Sequence, residues 1–150
     1  DAGPHHRVRR SGGMGRYQLA TVVGERIRVR EWLDDDPYPR ADIEPWPDEP
    51  GPPVTHERIG EIVDAMLALF ERIVSAQGAQ LRPDALAVEP EVADDPSWHI
   101  YTLASRVPMG GQADRYAVLA APTLAERVDV LADAIETVSA MVEFQIASDE

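Results

Sequence analysis

The side chains that could do chemistry in this chain of 150 residues are mainly acidic or basic, and few have a catalytic spacing. His5 and His6 could contact a metal ion, but adjacent histidines rarely chelate well, so we interpret them as solvated loop residues. His56 and His99 are isolated and fit no metal-ligand pattern such as H-E-x-x-H. None of the serines lies in a G-x-S-x-G nucleophile elbow. We therefore expect no catalytic, metal-binding or cofactor-binding residue.

The densest acidic cluster is the run of three aspartates from Asp34 to Asp36. A calcium loop needs oxygen ligands that alternate along the chain and a glycine that bends it. Here the acids are contiguous and Pro37 follows them directly. We interpret this run as a solvated turn that keeps the edge of a sheet charged.

The composition limits the classes of partner. The formal net charge is −13, which makes the chain a poor general binder of nucleic acid or of anionic membranes. No apolar run approaches the roughly 20 residues that span a bilayer. The absence of cysteine excludes disulfides and thiolate zinc sites and fits a cytoplasmic location. At 44% hydrophobic residues, the chain can still bury a substantial core.

Lysine is absent, so all 14 basic residues are arginines. A phosphate-binding P-loop requires a lysine that reaches the phosphates. Nucleotide hydrolysis by a P-loop is therefore excluded for this polypeptide.

The first third of the chain has the pattern of a small sheet. Tyr17–Val23 is apolar and β-prone, Gly24-Glu25 suits a two-residue type II′ turn, and Arg26–Trp32 alternates arginine with Ile or Val. With that turn, Ile27 and Val29 face a core, while Tyr17 and Trp32 pair on the outer face. Two further features complete this region: a short edge strand at Arg40–Glu44, and a polar loop or frayed end at Asp1–Gly13.

The remainder of the chain has helical patterns that follow a proline-rich stretch. We predict a β subdomain at 1–46, an extended linker at 47–54 and a helical subdomain at 55–150. The first helix has Thr55 as its N-cap and stops at Gly78. A long connection follows at Ala79–Asp95.

Three more helices are predicted after this connection. The second covers about Ser97–Arg106, with Asp94 or Asp95 as its cap, and the third covers about Gln112–Ala120. The last helix opens with Thr123 and Glu126 in the spacing of a capping box. Its apolar residues repeat at spacings of three and four, which is typical of a bundle packed on the first helix.

The run GERIRVREWL followed by DDPYPRA resembles the substrate-binding domain at the N-terminus of Lon proteases, which also occurs as a free-standing actinobacterial protein. The resemblance continues through LASRVPMGGQADRYAVLAAPTLAERVDVLADAIE and covers Gly15 to about Val142. It implies an α+β fold, with a small PUA-like pseudo-barrel followed by a helical bundle. The family's opening strands are not visible here, so we expect the pseudo-barrel to be incomplete within this numbering. Its sheet should either have an open edge or be completed by residues outside this numbering.

The resemblance implies a non-catalytic domain that binds unfolded or degron-bearing polypeptides and acts with proteolysis. Lon enzymes cleave peptides with a Ser–Lys pair, which a chain without lysine cannot supply. The family's two catalytic functions are thus excluded, whereas a protease or chaperone partner and homo-oligomerisation are left open. Capturing a polypeptide requires exposed apolar surface. The candidate binding residues are Tyr17, Trp32, Tyr38 and Met109.

The alternative is a PUA-like nucleic-acid-binding module. Residues 1–32 contain seven arginines against three acidic residues, which favours it locally, whereas the charge of the whole chain disfavours it. A hydrolase with an unrecognised site is a third hypothesis. Phosphate-driven binding falls steeply with salt and capture of an apolar peptide does not, so the salt dependence separates the first two.

Overall fold

A computed structural model describes residues 7–10, 17–20, 24–109 and 111–148, with side chains described from residue 24 onward. It divides into two compact units, Asp1–Pro47 and Asp48–Glu150. In the described residues the first unit contains four short strands and the second contains five helices. The predicted α+β class is therefore confirmed, while the status of residues 47–54 as a separate linker stays a prediction.

The first unit contains two antiparallel pairs of strands. Strand β1, Arg7–Arg10, pairs with β2, Tyr17–Ala20, and β3, Ile27–Leu33, pairs with β4, Arg40–Pro45. The interpretation of Asp1–Gly13 as a polar loop or a frayed end is wrong for Arg7–Arg10, because these residues form β1. Its backbone pairs with a strand further along the chain, and such pairing leaves no signal in a short arginine-rich run.

The predicted hairpin around Gly24-Glu25 is also wrong. Tyr17 lies opposite Arg10 in the β1–β2 register, whereas Trp32 lies opposite Ala41 in β4. Strand β3 therefore pairs with β4, and the acidic turn at residues 34–39 connects the two strands. Ion pairs to Glu44 of β4 favour this register over the predicted one.

The second unit begins with a long helix and ends with another. Its five helices are α1 at His56–Ala76, α2 at Pro90–Ala93, α3 at Pro96–Arg106, α4 at Gln112–Ala120 and α5 at Leu124–Ser148. The four longer helices were all predicted, to within about a residue at most ends. The short α2 lies inside the segment that was predicted to be a connection.

Local capping interactions explain where these helices begin. The hydroxyl of Thr55 accepts a hydrogen bond from the backbone N–H of Arg58, 3.2 Å away, at the start of α1. A carboxylate oxygen of Asp95 does the same for α3, and the Thr123 hydroxyl for α5. Each cap pairs an N–H group that has no partner inside its helix. At the other end of α1, Gly78 has a positive φ of 70°, a conformation that favours glycine.

The core of the second unit lies between α1, α5 and α3. Apolar residues three and four apart form one stripe along α1 and another along α5, and these stripes face each other. Burying one such side chain contributes about 1.5–3 kcal/mol, so this contact is the main source of the unit's stability. The most deeply buried members of the core are Ile62, Met66, Leu69, Ile100, Leu103, Val107, Val128, Leu131 and Ile135.

No helix in the described residues is both long enough and apolar enough to span a membrane.

Candidate functional site

The β3–β4 hairpin exposes large apolar side chains on one of its faces. These side chains are between 40% and 71% exposed, although they lie on regular strands. Isolated exposed apolar residues are common, but a contiguous set of them marks an interaction surface. We call this set the apolar hairpin face, and its members are Ile27, Val29, Trp32 and Ile43.

A β-bulge brings Trp32 onto this face. Val29 lies opposite Ile43 and Trp32 lies opposite Ala41, while Arg30 is the extra residue between them. Since alternate residues of a strand share a face, Ile43 and Ala41 place both of their partners on the same side. Without the bulge, Trp32 would point away from Val29, as the sequence pattern predicted.

The other face of the hairpin is held by arginines. Arg28 and Arg30 both pair with Glu44, the second at 3.5 Å, and the Arg28 Nε donates to Glu44 at 2.9 Å. The hydrogen bond from Arg28 holds the pKa of Glu44 below its ordinary value, and the charges of both arginines add to this. The guanidinium of Arg26 lies 4.6 Å from the ring centre of Trp46 and donates to its carbonyl oxygen. These contacts fix the strand register and leave the opposite, apolar face unobstructed by arginine.

The turn between the two strands carries Tyr38, whose ring is exposed. The backbone N–H of Asp36 donates to the carbonyl oxygen of Tyr38 at 3.1 Å, and the Asp36 carboxylate lies 3.7 Å from Arg40. In the part of the chain that the structure describes, no group of three acidic or histidine side chains could hold a metal ion. The turn thus presents an aromatic ring beside solvated carboxylates.

The other two predicted binding residues differ from Trp32 and Tyr38. The backbone of Tyr17 lies in β2, but its side chain falls outside the described part of the chain. Met109 is buried in the core of the helical unit. The expectation that Met109 offers exposed surface is therefore wrong, because the segment after α3 folds back onto the core instead of projecting into solvent.

The most unusual polar residue of the chain was not singled out from the sequence. Arg127, on α5, is fully buried. Its two terminal nitrogens donate to the two carboxylate oxygens of Asp48 at 2.9 and 2.6 Å, which is a bidentate ion pair. Burial alone would lower the pKa of Arg127. The hydrogen bond to Asp48 and the electrostatic interactions with Tyr101 and Asp48 act in the opposite direction and keep that pKa above its ordinary value.

Arg127 also satisfies backbone groups that the fold leaves without helical partners. It donates to the carbonyl oxygens of Val118 and Ala121 at the end of α4, at 3.3 and 3.1 Å. Its guanidinium lies 4.4 Å from the ring centre of Tyr101. In the sequence, only the repeat of apolar residues around Arg127 on α5 signalled its burial. Because the buried guanidinium donates to Asp48, Val118 and Ala121, we interpret Arg127 as a residue that organises structure and not as a candidate for catalysis.

The histidines in the described region show no catalytic arrangement. His56 is exposed near the start of α1. His99 is half-buried on α3, and burial together with the positive charge of Arg106 lowers its pKa.

A search of curated proteins found no match to this chain. A scan against protein families matched residues 6–137 to the substrate-binding domain of the ATP-dependent protease La (Lon). The matched segment includes both the apolar hairpin face and the buried Arg127–Asp48 pair, and it covers most of the 150 residues. The chain therefore belongs to the family of the Lon substrate-binding domain.

Proposed function

We propose that this chain is a non-catalytic domain that binds protein substrates through the apolar hairpin face. Membership of the family supports a substrate-binding role in Lon-type proteolysis. The observation that carries the choice of surface is the row of exposed apolar side chains on β3 and β4. Folded proteins bury most of their apolar side chains, whereas an unfolded client exposes them and can bind the apolar hairpin face.

The shape of the hairpin favours an extended client. Among the described strands, β3 and β4 pair only with each other, so an added strand could hydrogen-bond along a sheet edge. Every second residue of that strand would then meet the apolar hairpin face. Trp32 is the main anchor in this proposal, because tryptophan buries the largest apolar area of any side chain. Tyr38, in the turn beside it, is the second.

Affinity for any one client should be modest. An unfolded chain loses conformational freedom when it binds, which offsets much of the gain from apolar burial. We expect dissociation constants in the micromolar range or weaker. Tyr17 stays a predicted binding residue, and Met109 is left out because it is buried.

A nucleic-acid-binding module is the alternative, and the two functions differ in their salt dependence. Phosphate binding would use the arginines of β3, yet Arg28 and Arg30 already pair with Glu44. Binding through these side chains would compete with those ion pairs and would weaken steeply as salt rises. Apolar capture involves no counterion release and should change little with salt.

The test titrates an unfolded peptide with the full chain and measures binding by fluorescence anisotropy. The peptide is uncharged, rich in apolar residues and labelled with fluorescein. Trp32→Ala should weaken binding by about fivefold or more, as for the loss of an aromatic anchor. Trp98→Ala is the matched control, because Trp98 is also exposed but lies on α3. The affinity of the Trp98→Ala variant for the peptide should stay within about twofold of the wild-type value.

Two results would contradict this proposal. Equal losses in the Trp32 and Trp98 variants would show that binding does not involve the apolar hairpin face. Loss of binding between low and high NaCl would favour an electrostatic mode, and a parallel titration with single-stranded RNA would then test the alternative.

A further inference from the structure

We propose that the exposed side of α5 is a second interaction surface, which binds a basic amphipathic helix of a partner protein. The surface lies on a different unit from the apolar hairpin face, and the inference does not depend on the function proposed above. We call it the α5 patch, and its members are Asp133, Glu136, Thr137, Ala140, Met141 and Phe144.

The α5 patch consists of two parallel ridges. Residues four apart on a helix lie one above the other. One ridge therefore runs through Asp133, Thr137 and Met141, and the next runs through Glu136, Ala140 and Phe144. Each ridge has a carboxylate at its N-terminal end, a small side chain in the middle and a large apolar side chain at its C-terminal end.

The apolar end of the α5 patch is unusually exposed. Phe144 is 76% exposed and is the most exposed large apolar side chain in the described residues. Met141 beside it is also exposed, whereas Ile135 and Val138 of the same helix are buried against the core. Two large apolar groups next to the small Ala140 form a shallow groove that could accept an apolar side chain.

The acidic end of the α5 patch is not neutralised. In the described part of the chain, Arg58 pairs with Asp129 and Arg72 pairs with Glu143, so two other carboxylates of α5 have partners. None of the ion pairs in that part of the chain involves Asp133 or Glu136. These two carboxylates are therefore available to a cation from another molecule.

The arrangement of charge argues against a second copy of this chain as the occupant. In an antiparallel pair of α5 helices centred on Ala140, Phe144 of one copy would meet Glu136 of the other. In a parallel pair, the carboxylates of both copies would face each other. Both pairings bury an uncompensated charge or repel. An antiparallel pair shifted toward Met141 and Phe144 avoids these contacts, but it supplies no cation to Asp133 and Glu136, and the net charge of −13 on each copy adds repulsion.

A basic amphipathic helix satisfies both ends of the α5 patch. The carboxylate and the apolar residue of each ridge are eight residues apart, which is about 12 Å along the helix axis. A partner helix that carries an apolar residue and an arginine or lysine about two turns apart matches that spacing. The acidic surface would also accelerate encounter with such a partner.

The experiment titrates three designed, fluorescently labelled helical peptides with the full chain. Fluorescence anisotropy measures the binding of each peptide. The basic probe carries Leu and Phe one turn apart and two arginines two turns away. The acidic probe replaces both arginines with glutamate, and the third probe replaces Leu and Phe with alanine. Only the basic probe should bind, and its affinity should fall as NaCl rises.

Variants of α5 identify the surface. Phe144→Ala and the double variant Asp133→Asn/Glu136→Gln should each weaken the basic probe by about tenfold. Asp64→Asn/Glu71→Gln removes the same charge from exposed positions of α1 and should change the affinity by about twofold at most. Trp32→Ala should leave the basic probe unaffected, which separates this surface from the one proposed for clients.

Several outcomes would overturn the inference. Saturable binding of the acidic probe, or equal losses in the α1 and α5 charge variants, would exclude recognition by the α5 patch. Absence of saturable binding up to about 1 mM basic probe would do the same. A change of oligomeric state in Phe144→Ala by size-exclusion chromatography would show that a second copy occupies this surface instead.

Discussion

At the scale of single residues, the Arg127–Asp48 pair has the largest expected effect on stability. A buried arginine has lost its hydration, so it depends on its partner carboxylate and on the carbonyl oxygens around it. Asp48 lies outside all five helices, 79 residues from Arg127 in sequence. One side chain thus binds the start of the second unit to its last helix.

We predict that Asp48→Ala destabilises the chain by roughly 3 kcal/mol, because it leaves a buried guanidinium without its counter-charge. Urea denaturation followed by circular dichroism measures this change. Glu49→Gln is the control, since only the backbone N–H of Glu49 bonds to the helical unit, at the carbonyl oxygen of Pro122. A loss below about 1 kcal/mol in Asp48→Ala would show that water or another group replaces the carboxylate.

At the scale of elements, the segment before α1 is packed against the start of α5. A Cβ atom added at Gly51 would lie 2.8 Å from the Cβ of Thr123, which caps α5. That separation is too short for two carbon atoms, so the segment needs glycine at this point. The proline-rich stretch is consequently held against the helical unit at its first residues, and is not free along its whole length.

Two glycine substitutions should therefore have opposite effects. Gly51→Ala should destabilise the second unit by about 1–3 kcal/mol, because the new methyl group displaces either the segment or the cap. Gly60→Ala should stabilise it by about 0.5–1 kcal/mol, because Gly60 lies inside α1 and its added Cβ would meet nothing within 4 Å. Thermal denaturation of both variants tests the pair. A stabilised Gly51→Ala variant would mean that the segment moves away at little cost.

At the scale of the whole molecule, and among the side chains that the structure describes, the core cluster lies entirely in the second unit. Every buried member of that cluster falls between Ile59 and Val138. By contrast, β3 and β4 expose their apolar side chains and gain their order from ladder hydrogen bonds and from arginine contacts. Most of the free energy of unfolding should therefore belong to the helical unit.

We predict that a fragment of residues 48–150 unfolds cooperatively with nearly the melting temperature of the full chain. A fragment of residues 54–150 keeps all five helices but lacks Asp48 and Gly51. Its melting temperature should be roughly 10–20 °C lower, since a loss of about 3 kcal/mol shifts a domain of this size by several degrees per kcal/mol. Calorimetry of both fragments measures the difference. Equal melting temperatures would show that the segment before α1 contributes no stability.

The sequence alone determined the features that depend on near neighbours along the chain. The first residues of α1, α3 and α5 could be predicted from Thr55, Asp95 and Thr123, because an N-cap side chain bonds a backbone N–H only two or three residues away. The periodic apolar stripes of α1 and α5 predicted their buried faces for the same reason. The motif around GERIRVREWL indicated the family, and these 150 residues contain no lysine that could form a P-loop or a Ser–Lys pair.

Only the tertiary structure decided which strands pair and which side chains are buried. Strand partners are distant in sequence, so the apolar run at Tyr17 could not reveal that β3 pairs with β4 instead. The bulge at Arg30 then moved Trp32 to the other face, because one extra residue reverses the alternation of a strand. The apolar repeat along α5 could suggest that Arg127 is buried, but not that it contacts Asp48 and Tyr101, which lie far from it in sequence. Met109 is buried in the core, although its local sequence after α3 does not indicate burial.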